Sequence, residues 1–245
     1  MAVKSIQFDG HTFDIGYEIL NPEAKTDLIV LHGWGSNKSL MKQAFCLYMK
    51  DFRHIYIDMP GFGTSTCEKA LYTKDYAKII ELFITSINAS KDIIAGHSFG
   101  GKVALLLEPK LLVLLSSAGI YVAKPIKVRA KIALYKLLKV FGLSRFREFF
   151  VADDAKRLTP HMYDTFKNVV DEDFGTIFSA FKGKALLCWG KEDTATPLSS
   201  ALKIEKLIND SKLVVYSGDH YFFLNHAEDI SRNIEKTFLE TLEHN

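Results

Sequence analysis

Apolar residues along this chain gather into two kinds of stretch: short unbroken or alternating runs, and longer stripes at helical spacing. Their order predicts the fold. Residues 5–8 and 12–20 flank Asp9-Gly10-His11, and two such runs around an Asp-Gly pair predict a β-hairpin. Residues 27–31 form a compact apolar run of the kind that is buried on both faces of a parallel sheet. The loop His32-Gly33-Trp34-Gly35-Ser36-Asn37 follows, and then a helical stretch over about 39–50. Residues 54–58 read as a strand closed by Met59-Pro60-Gly61-Phe62-Gly63, and 74–88 as a helix with Ile79, Ile80, Phe83, Ile84 and Ile87 on one face. A β-branched run leads into Ser98, an apolar helical pattern runs on to Leu107, and 111–115 is the next strand. Two antiparallel strands followed by repeated strand and helix predict an α/β fold, a mostly parallel sheet flanked by helices on both faces.

The alternation stops at Ser116. Residues 120–182 are mostly helical in pattern with no clear strand, after which come a strand at 185–189, a helix at 198–209 and a strand at 213–216. A last helix is expected over 226–243, with Asn225 and Glu228 as an N-x-x-E capping pattern at its start. We therefore expect a core made of residues 1–119 and 183–245, interrupted by a helical cap (lid) insertion at 120–182.

Composition changes this picture little. With 245 residues, 48% of them hydrophobic, the chain is long enough for one large α/β domain or two small ones. A net charge of +2 argues neither for nor against an anionic partner. Cys46, Cys67 and Cys188 are an odd number without C-x-x-C pairing, which fits a reducing compartment with neither a disulfide framework nor a zinc site. Lys4, Gln7 and Asp9 stand where a signal peptide would need an apolar run, so a cytoplasmic location is expected. The most apolar region, 103–123, is cut by Glu108, Pro109 and Lys110 into a short helix and a strand, so no membrane span is expected.

The candidate chemistry centres on Gly96-His97-Ser98-Phe99-Gly100-Gly101. A serine between a strand and a helix, with a glycine two residues to either side, sits at the apex of a tight turn that pushes its hydroxyl out above the strand end. The backbone N–H of Phe99 then points to the same place from a helix start, where free N–H groups and the helix dipole favour negative charge. Serine is a weak nucleophile unless a base, itself oriented by a carboxylate, lies within reach. Open parallel sheets collect such groups at the carboxyl ends of their strands. Two loops qualify: Gly190-Lys191-Glu192-Asp193-Thr194-Ala195-Thr196-Pro197, and Ser217-Gly218-Asp219-His220-Tyr221. They supply Asp193 as the acid and His220 as the base, in the chain order Ser, Asp, His.

Each choice has rivals. Glu192 adjoins Asp193, and the spacing leaves both open. His226 falls at the first helical position after Asn225, where its ring should point outward, so the loop residue His220 is preferred as base. His97 adjoins Ser98, but neighbouring side chains of an extended segment point to opposite sides, so we expect it to pack or hydrogen-bond locally. His11, His54, His161 and His244 have no motif around them, and Asp219 is too close to His220 in the chain to orient it. For a second oxyanion donor, the backbone N–H of Trp34 is expected, in the loop after the 27–31 strand.

The segments Leu31-His32-Gly33-Trp34-Gly35, Asp58-Met59-Pro60-Gly61-Phe62-Gly63-Thr64-Ser65, Gly96-His97-Ser98-Phe99-Gly100-Gly101 and Trp189-Gly190-Lys191-Glu192-Asp193 resemble the signature segments of the α/β-hydrolase superfamily. The resemblance covers roughly 12–119 and 184–245. It implies Ser98 as nucleophile, Asp193 as acid, His220 as base, and Trp34 and Phe99 as oxyanion donors, with no metal or organic cofactor. It also implies cleavage of small-molecule carboxylic esters, as in the carrier-protein methyl ester esterases of biotin synthesis, or carbon–carbon cleavage of ring-cleavage products. A non-catalytic ligand-binding sensor on the same fold is the alternative from another class. Branches with an aspartate nucleophile are argued against by Ser98. The usual Gly-x-Gly-His segment reads Ser217-Gly218-Asp219-His220 here, a departure at the base's own loop.

Within the expected cap, residues 124–147 carry Lys124, Lys127, Arg129, Lys131, Lys136, Lys139, Arg145 and Arg147 with no acidic residue, interleaved with apolar positions. One or two amphipathic helices covering the site account for this pattern. A docking surface for an anionic partner such as an acidic carrier protein is the sharper expectation. No nucleic-acid-binding motif is present, and no nucleic-acid partner is expected.

Overall fold

The computed structural model describes residues 2–121 and 159–243. The basic segment 124–147 and its expected amphipathic helices lie outside the described residues. The strands are β1 (Ala2–Phe8), β2 (His11–Leu20), β3 (Thr26–Leu31), β4 (Phe52–Ile57), β5 (Ile93–His97), β6 (Leu111–Leu115), β7 (Lys184–Gly190) and β8 (Ser211–Tyr216). Together they form one sheet in the order β1-β2-β4-β3-β5-β6-β7-β8. β2 pairs antiparallel with both β1 and β4, and every pair from β4 to β8 is parallel. The expected α/β architecture is the one observed. Asp9 and Gly10 both adopt positive φ, 49° and 72°, as a two-residue hairpin turn requires.

Between the strands lie α1 (Lys38–Phe45), α2 (Thr73–Ser86) and α3 (Phe99–Leu106), then α4 (Pro160–Val169), α5 (Gly175–Ala180), α6 (Leu198–Leu207) and α7 (Phe223–Glu243). The period-2 rule explains why β3 reads as an unbroken apolar run. Ile29 and Leu31 pack into the core on the side of α2, α3, α5 and α6, while Leu28 and Val30 pack on the side of α1 and α7. Both faces are covered, so every residue of the run is buried. Among the described residues no helix is long and apolar enough to cross a membrane. The apolar region after Val103 divides as expected, with Glu108 at φ 50° between α3 and β6.

Two helices depart from expectation. α1 stops at Phe45 rather than near Lys50, because Phe45 and Met49 are both buried and the chain turns at Met49, φ 50°, to enter β4. α7 begins at Phe223, three residues early, and carries a kink at His226 (φ −122°, ψ 17°). Burial of Phe222 and Phe223 draws the first turn into the core, and the Asn225 capping pattern therefore falls at a bend inside the helix and not at its start.

A buried ion pair fixes the loops at the top of β3 and β4. Lys38 and Asp58 are both almost fully buried, and the Lys38 ammonium donates to Asp58 Oδ2. The Lys38 amide donates to Asp58 Oδ1 at 2.7 Å, and the Thr64 amide and hydroxyl reach Oδ2 at 2.8 and 3.0 Å. Burial alone would raise the Asp58 pKa, but these donors outweigh it and the carboxyl lies below its usual range. The pair ties the start of α1 to the Asp58–Ser65 turn. We expect Lys38→Met to cost about 3–5 kcal/mol by leaving a buried carboxylate without its cation. The urea midpoint reads this, and a cost under about 1 kcal/mol would mean that Thr64 and the amides suffice.

Candidate active site

Ser98 sits where β5 turns into α3, with φ 50° and ψ −115°, outside the regions that ordinary residues occupy. Two glycines permit it. A Cβ on Gly96 would lie 2.3 Å from the Gly100 carbonyl oxygen, and a Cβ on Gly100 would lie 2.5 Å from the His32 carbonyl oxygen. The turn is braced on both sides. The Ser98 amide donates to Leu115 O at 3.1 Å, and the Ala118 and Gly101 amides donate to Ser98 O at 3.0 Å. Strand, elbow and the loop after β6 therefore hold one another.

The other two expected side chains meet at the neighbouring strand ends. Asp193, 4% exposed, accepts from the Ala195 and Thr196 amides at Oδ1, 2.8 and 2.9 Å. Its Oδ2 accepts from His220 Nδ1 at 2.8 Å and from the Thr196 hydroxyl at 2.8 Å. Burial would raise the Asp193 pKa, but the His220 ring and the Thr196 amide outweigh it and bring the carboxyl down to about 2. The loop is anchored from beneath, since the buried Trp189 indole donates to Thr196 O at 2.7 Å. The Ser98 hydroxyl makes no hydrogen bond to a described residue. The ring of His97, the residue before it, has its centroid 4.6 Å from that of His220.

The rivals have other partners. Glu192 Oε2 accepts from the Gly218 amide at 2.5 Å, so it holds the loop that carries His220 and not the His220 ring. His226 is half-buried. Its Nε2 donates to Ser217 O at 2.9 Å, a contact within the loop after β8. Asp219 Oδ1 accepts from the Tyr221 amide at 2.8 Å. His97 is not a local residue either, because its Nε2 donates to the His220 carbonyl at 3.0 Å, 123 residues away in the chain.

Trp34 and Phe99 flank the elbow from the β3 loop and from α3. Their rings lie 5.6 Å apart, and the Trp34 ring also meets Phe62 and Phe166 at 4.9 and 5.4 Å, so its side chain is a wall of the site. His32 sets the loop that carries Trp34. Its Nδ1 donates to Gly33 O at 2.7 Å and its Nε2 accepts from the Met59 amide at 3.0 Å, which fixes the neutral tautomer. Beside the acid loop is a cavity of about 150 Å³ lined by Ser117, Tyr121, Glu172, Thr196 and Ser200 among others. One edge of it is secured by Lys102, whose buried ammonium donates to Val169 O at 2.5 Å and to Glu172 at 2.8 Å.

Sequence reasoning missed Thr196 and undervalued His97. The signal for Thr196 was its place three residues after Asp193 in the same turn, a spacing at which hydroxyl and amide can reach back to a carboxylate.

The alpha/beta hydrolase family model matches residues 28–233. This chain belongs to the alpha/beta hydrolase family. It is 37% identical over 78 residues to the pimeloyl-[acyl-carrier protein] methyl ester esterase of Vibrio campbellii, a match covering 32% of this chain and 29% of that one. It is 22% identical over 250 residues to 2-hydroxy-6-oxononadienedioate/2-hydroxy-6-oxononatrienedioate hydrolase 1 of Pseudomonas putida, covering 86% and 87%. An esterase of Exiguobacterium antarcticum shares its fold, with a TM-score of 0.75, 22% identity, and coverage of 96% and 98%.

In this hydrolase two imidazoles near the elbow are buried neutral. Burial, only partly offset by hydrogen bonds, pushes the pKa of His32 down to about 4 and that of His97 down to about 3. Both lie below the unfolded value of about 6.5, so the unfolded chain binds the extra protons first and stability falls as pH drops through that window. We expect unfolding free energy to decline by about 1 kcal/mol per pH unit for each ring between about pH 6 and pH 4. Urea titrations at pH 7, 6 and 5 measure it. A flat profile would mean that the rings are charged in the fold.

Proposed function

We propose that this chain is a serine hydrolase that cleaves carboxylic esters of modest size through an acyl-enzyme on Ser98. The observation that carries the reading is the His220 Nδ1 to Asp193 Oδ2 bond at 2.8 Å, on the sheet rim from which Ser98 projects. Asp193 fixes the imidazole tautomer and leaves Nε2 free to accept a proton. His220 takes the Ser98 proton as Oγ attacks the ester carbonyl, and the Trp34 and Phe99 N–H groups receive the charge that forms on the carbonyl oxygen. One such donor is commonly worth about 3 kcal/mol of transition-state stabilisation. His220 then protonates the leaving alkoxide. Water attacks the acyl-enzyme with His220 as base, releasing the acid and restoring the Ser98 hydroxyl.

The local likeness to a carrier-protein methyl ester esterase supports esters. The likeness to the Pseudomonas putida hydrolase runs over most of both chains and favours carbon–carbon cleavage as the second reading. The eight cations of 124–147 support an acidic carrier protein as the docking partner.

A fluorophosphonate should label Ser98 in the wild type and leave Ser98→Ala unlabelled, with turnover reduced by about 10⁴-fold or more in the variant. Absence of a Ser98 adduct would favour a sensor that binds without turnover. Hydrolysis of p-nitrophenyl esters of increasing chain length supports the esterase reading, and inactivity on all of them with cleavage of a vinylogous diketone supports the second. Raising ionic strength should slow a carrier-bound ester far more than a small neutral one. Equal responses would remove the docking idea.

A further inference from the structure

The residue before the nucleophile is the most informative buried group without a role in the steps above. His97 is 1% exposed at the end of β5, and its ring touches both loops that flank Ser98. On one side its Nε2–H donates to the His220 carbonyl at 3.0 Å. On the other, a Cβ placed on Gly33 would lie 2.8 Å from His97 Nδ1 and 3.1 Å from the Ser98 Cβ, so the oxyanion loop rests directly on this ring and on the elbow. The ring centroids of His220, Phe223 and Tyr221 lie 4.6, 4.8 and 5.3 Å away.

We propose that His97 is a positioning residue that sets the height and tilt of the His220 imidazole over Ser98 by holding the base's main-chain carbonyl, a role that rests on the assignment of His220 as base. The loop after β8 shows why such a tether is needed. Other hydrogen bonds of this loop fall to either side of the base, among them Glu192 on the Gly218 amide, the Glu192 amide on Gly218 O at 3.0 Å and the Phe222 amide on Asp219 O at 3.1 Å. Gly218, at φ 118°, adds a pivot two residues before His220. The Asp193 bond fixes one ring nitrogen, which leaves the ring free to swing about that bond. Holding the backbone carbonyl as well removes this freedom, so Nε2 has one place to be.

The chemistry of the ring suits the task. A carbonyl only accepts, so His97 carries its proton on Nε2, and Nδ1 is left buried with no partner among the described residues. The charged or titratable groups that face it are His220, His32 and Asp193, with the Tyr221 ring alongside. A cation here would repel the imidazolium that His220 becomes during attack. Burial keeps His97 neutral, so the tether adds no opposing charge at that moment.

The test compares His97→Phe, which keeps a ring without the donor, with His97→Gln, which keeps an N–H donor of similar reach. On a short p-nitrophenyl ester, His97→Phe should lower kcat by about 10- to 100-fold with KM within about twofold of wild type. His97→Gln should restore most of kcat, and both should still be labelled at Ser98 by fluorophosphonate, slowly in the Phe variant. Equal loss in the two variants, or kcat within about twofold of wild type in His97→Phe, would overturn the proposal. Nitrogen NMR of the wild-type imidazoles needs neither variant to fold. It should find His97 neutral and protonated on Nε2 from about pH 5 to pH 8, and a ring that titrates there or carries its proton on Nδ1 overturns the proposal. Failure of fluorophosphonate to label wild-type Ser98 would instead strike the hydrolase reading, while the NMR result would still decide whether the tether exists.

Discussion

The structure depends on one backbone conformation that is costly by itself. Ser98 at φ 50° and ψ −115° lies in a region that costs of order 1–3 kcal/mol, and it persists because its surroundings leave no alternative. Relaxing it would move the start of α3 into the Leu31 and His32 carbonyls, already as close to Gly100 as a residue without a side chain allows. Gly101 is confined in the same way by Ser117, whose hydroxyl would meet a Cβ at 2.1 Å. The strain is therefore shared among β3, β5 and the loop after β6. Each of those elements also delivers something to the site: the loop that carries Trp34, Ser98 itself and a wall of the cavity.

Around this elbow several buried polar groups are matched by many donors, although His97 Nδ1 and the Ser116 hydroxyl find no partner among the described residues. Asp58 is surrounded by four donors from Lys38 and Thr64, and Asp193 by four from Ala195, Thr196 and His220. His32 joins two loops through both ring nitrogens. Partial satisfaction would cost more than an apolar replacement, so such networks rigidify the loops they join. Here they hold the loop after β3 against the loop after β4, and the loop after β7 against the loop after β8.

The architecture was legible because strand burial on two faces writes itself as unbroken apolar runs, and because Gly96 and Gly100 stand between a β-branched run and a helical pattern, a context that marks a tight turn. That Asp193 and His220 meet was legible for a different reason: parallel strands deliver their following loops to one edge, so order along the chain becomes adjacency in space. What the sequence hides is side-chain direction. His97 was expected to act locally because alternation in an extended segment turns it away from Ser98, yet its ring meets the His220 carbonyl, which arrives from the loop after another strand. The start of α7 was misplaced because the capping pattern at Asn225 is a local preference, and burying Phe222 and Phe223 is worth more than a cap. A fully buried Phe contributes about 1.5–3 kcal/mol, against about 1 kcal/mol for a cap.

The distribution of donors on Asp193 has a consequence for how charge moves in such a site. Oδ1 is occupied by two main-chain amides that cannot follow a moving proton, while Oδ2 is shared between the Thr196 hydroxyl and the His220 ring. With the carboxyl held down at about 2, it remains an anion at working pH and is a poor acceptor for full proton transfer. Its effect on His220 is then electrostatic and orienting: it favours the imidazolium without ceasing to be a carboxylate. The Thr196 hydroxyl strengthens that arrangement, since it stabilises the negative charge on the same oxygen that faces the ring. A turn of four residues thus fixes both the position of Asp193 and its protonation state, and His220 inherits its tautomer from it.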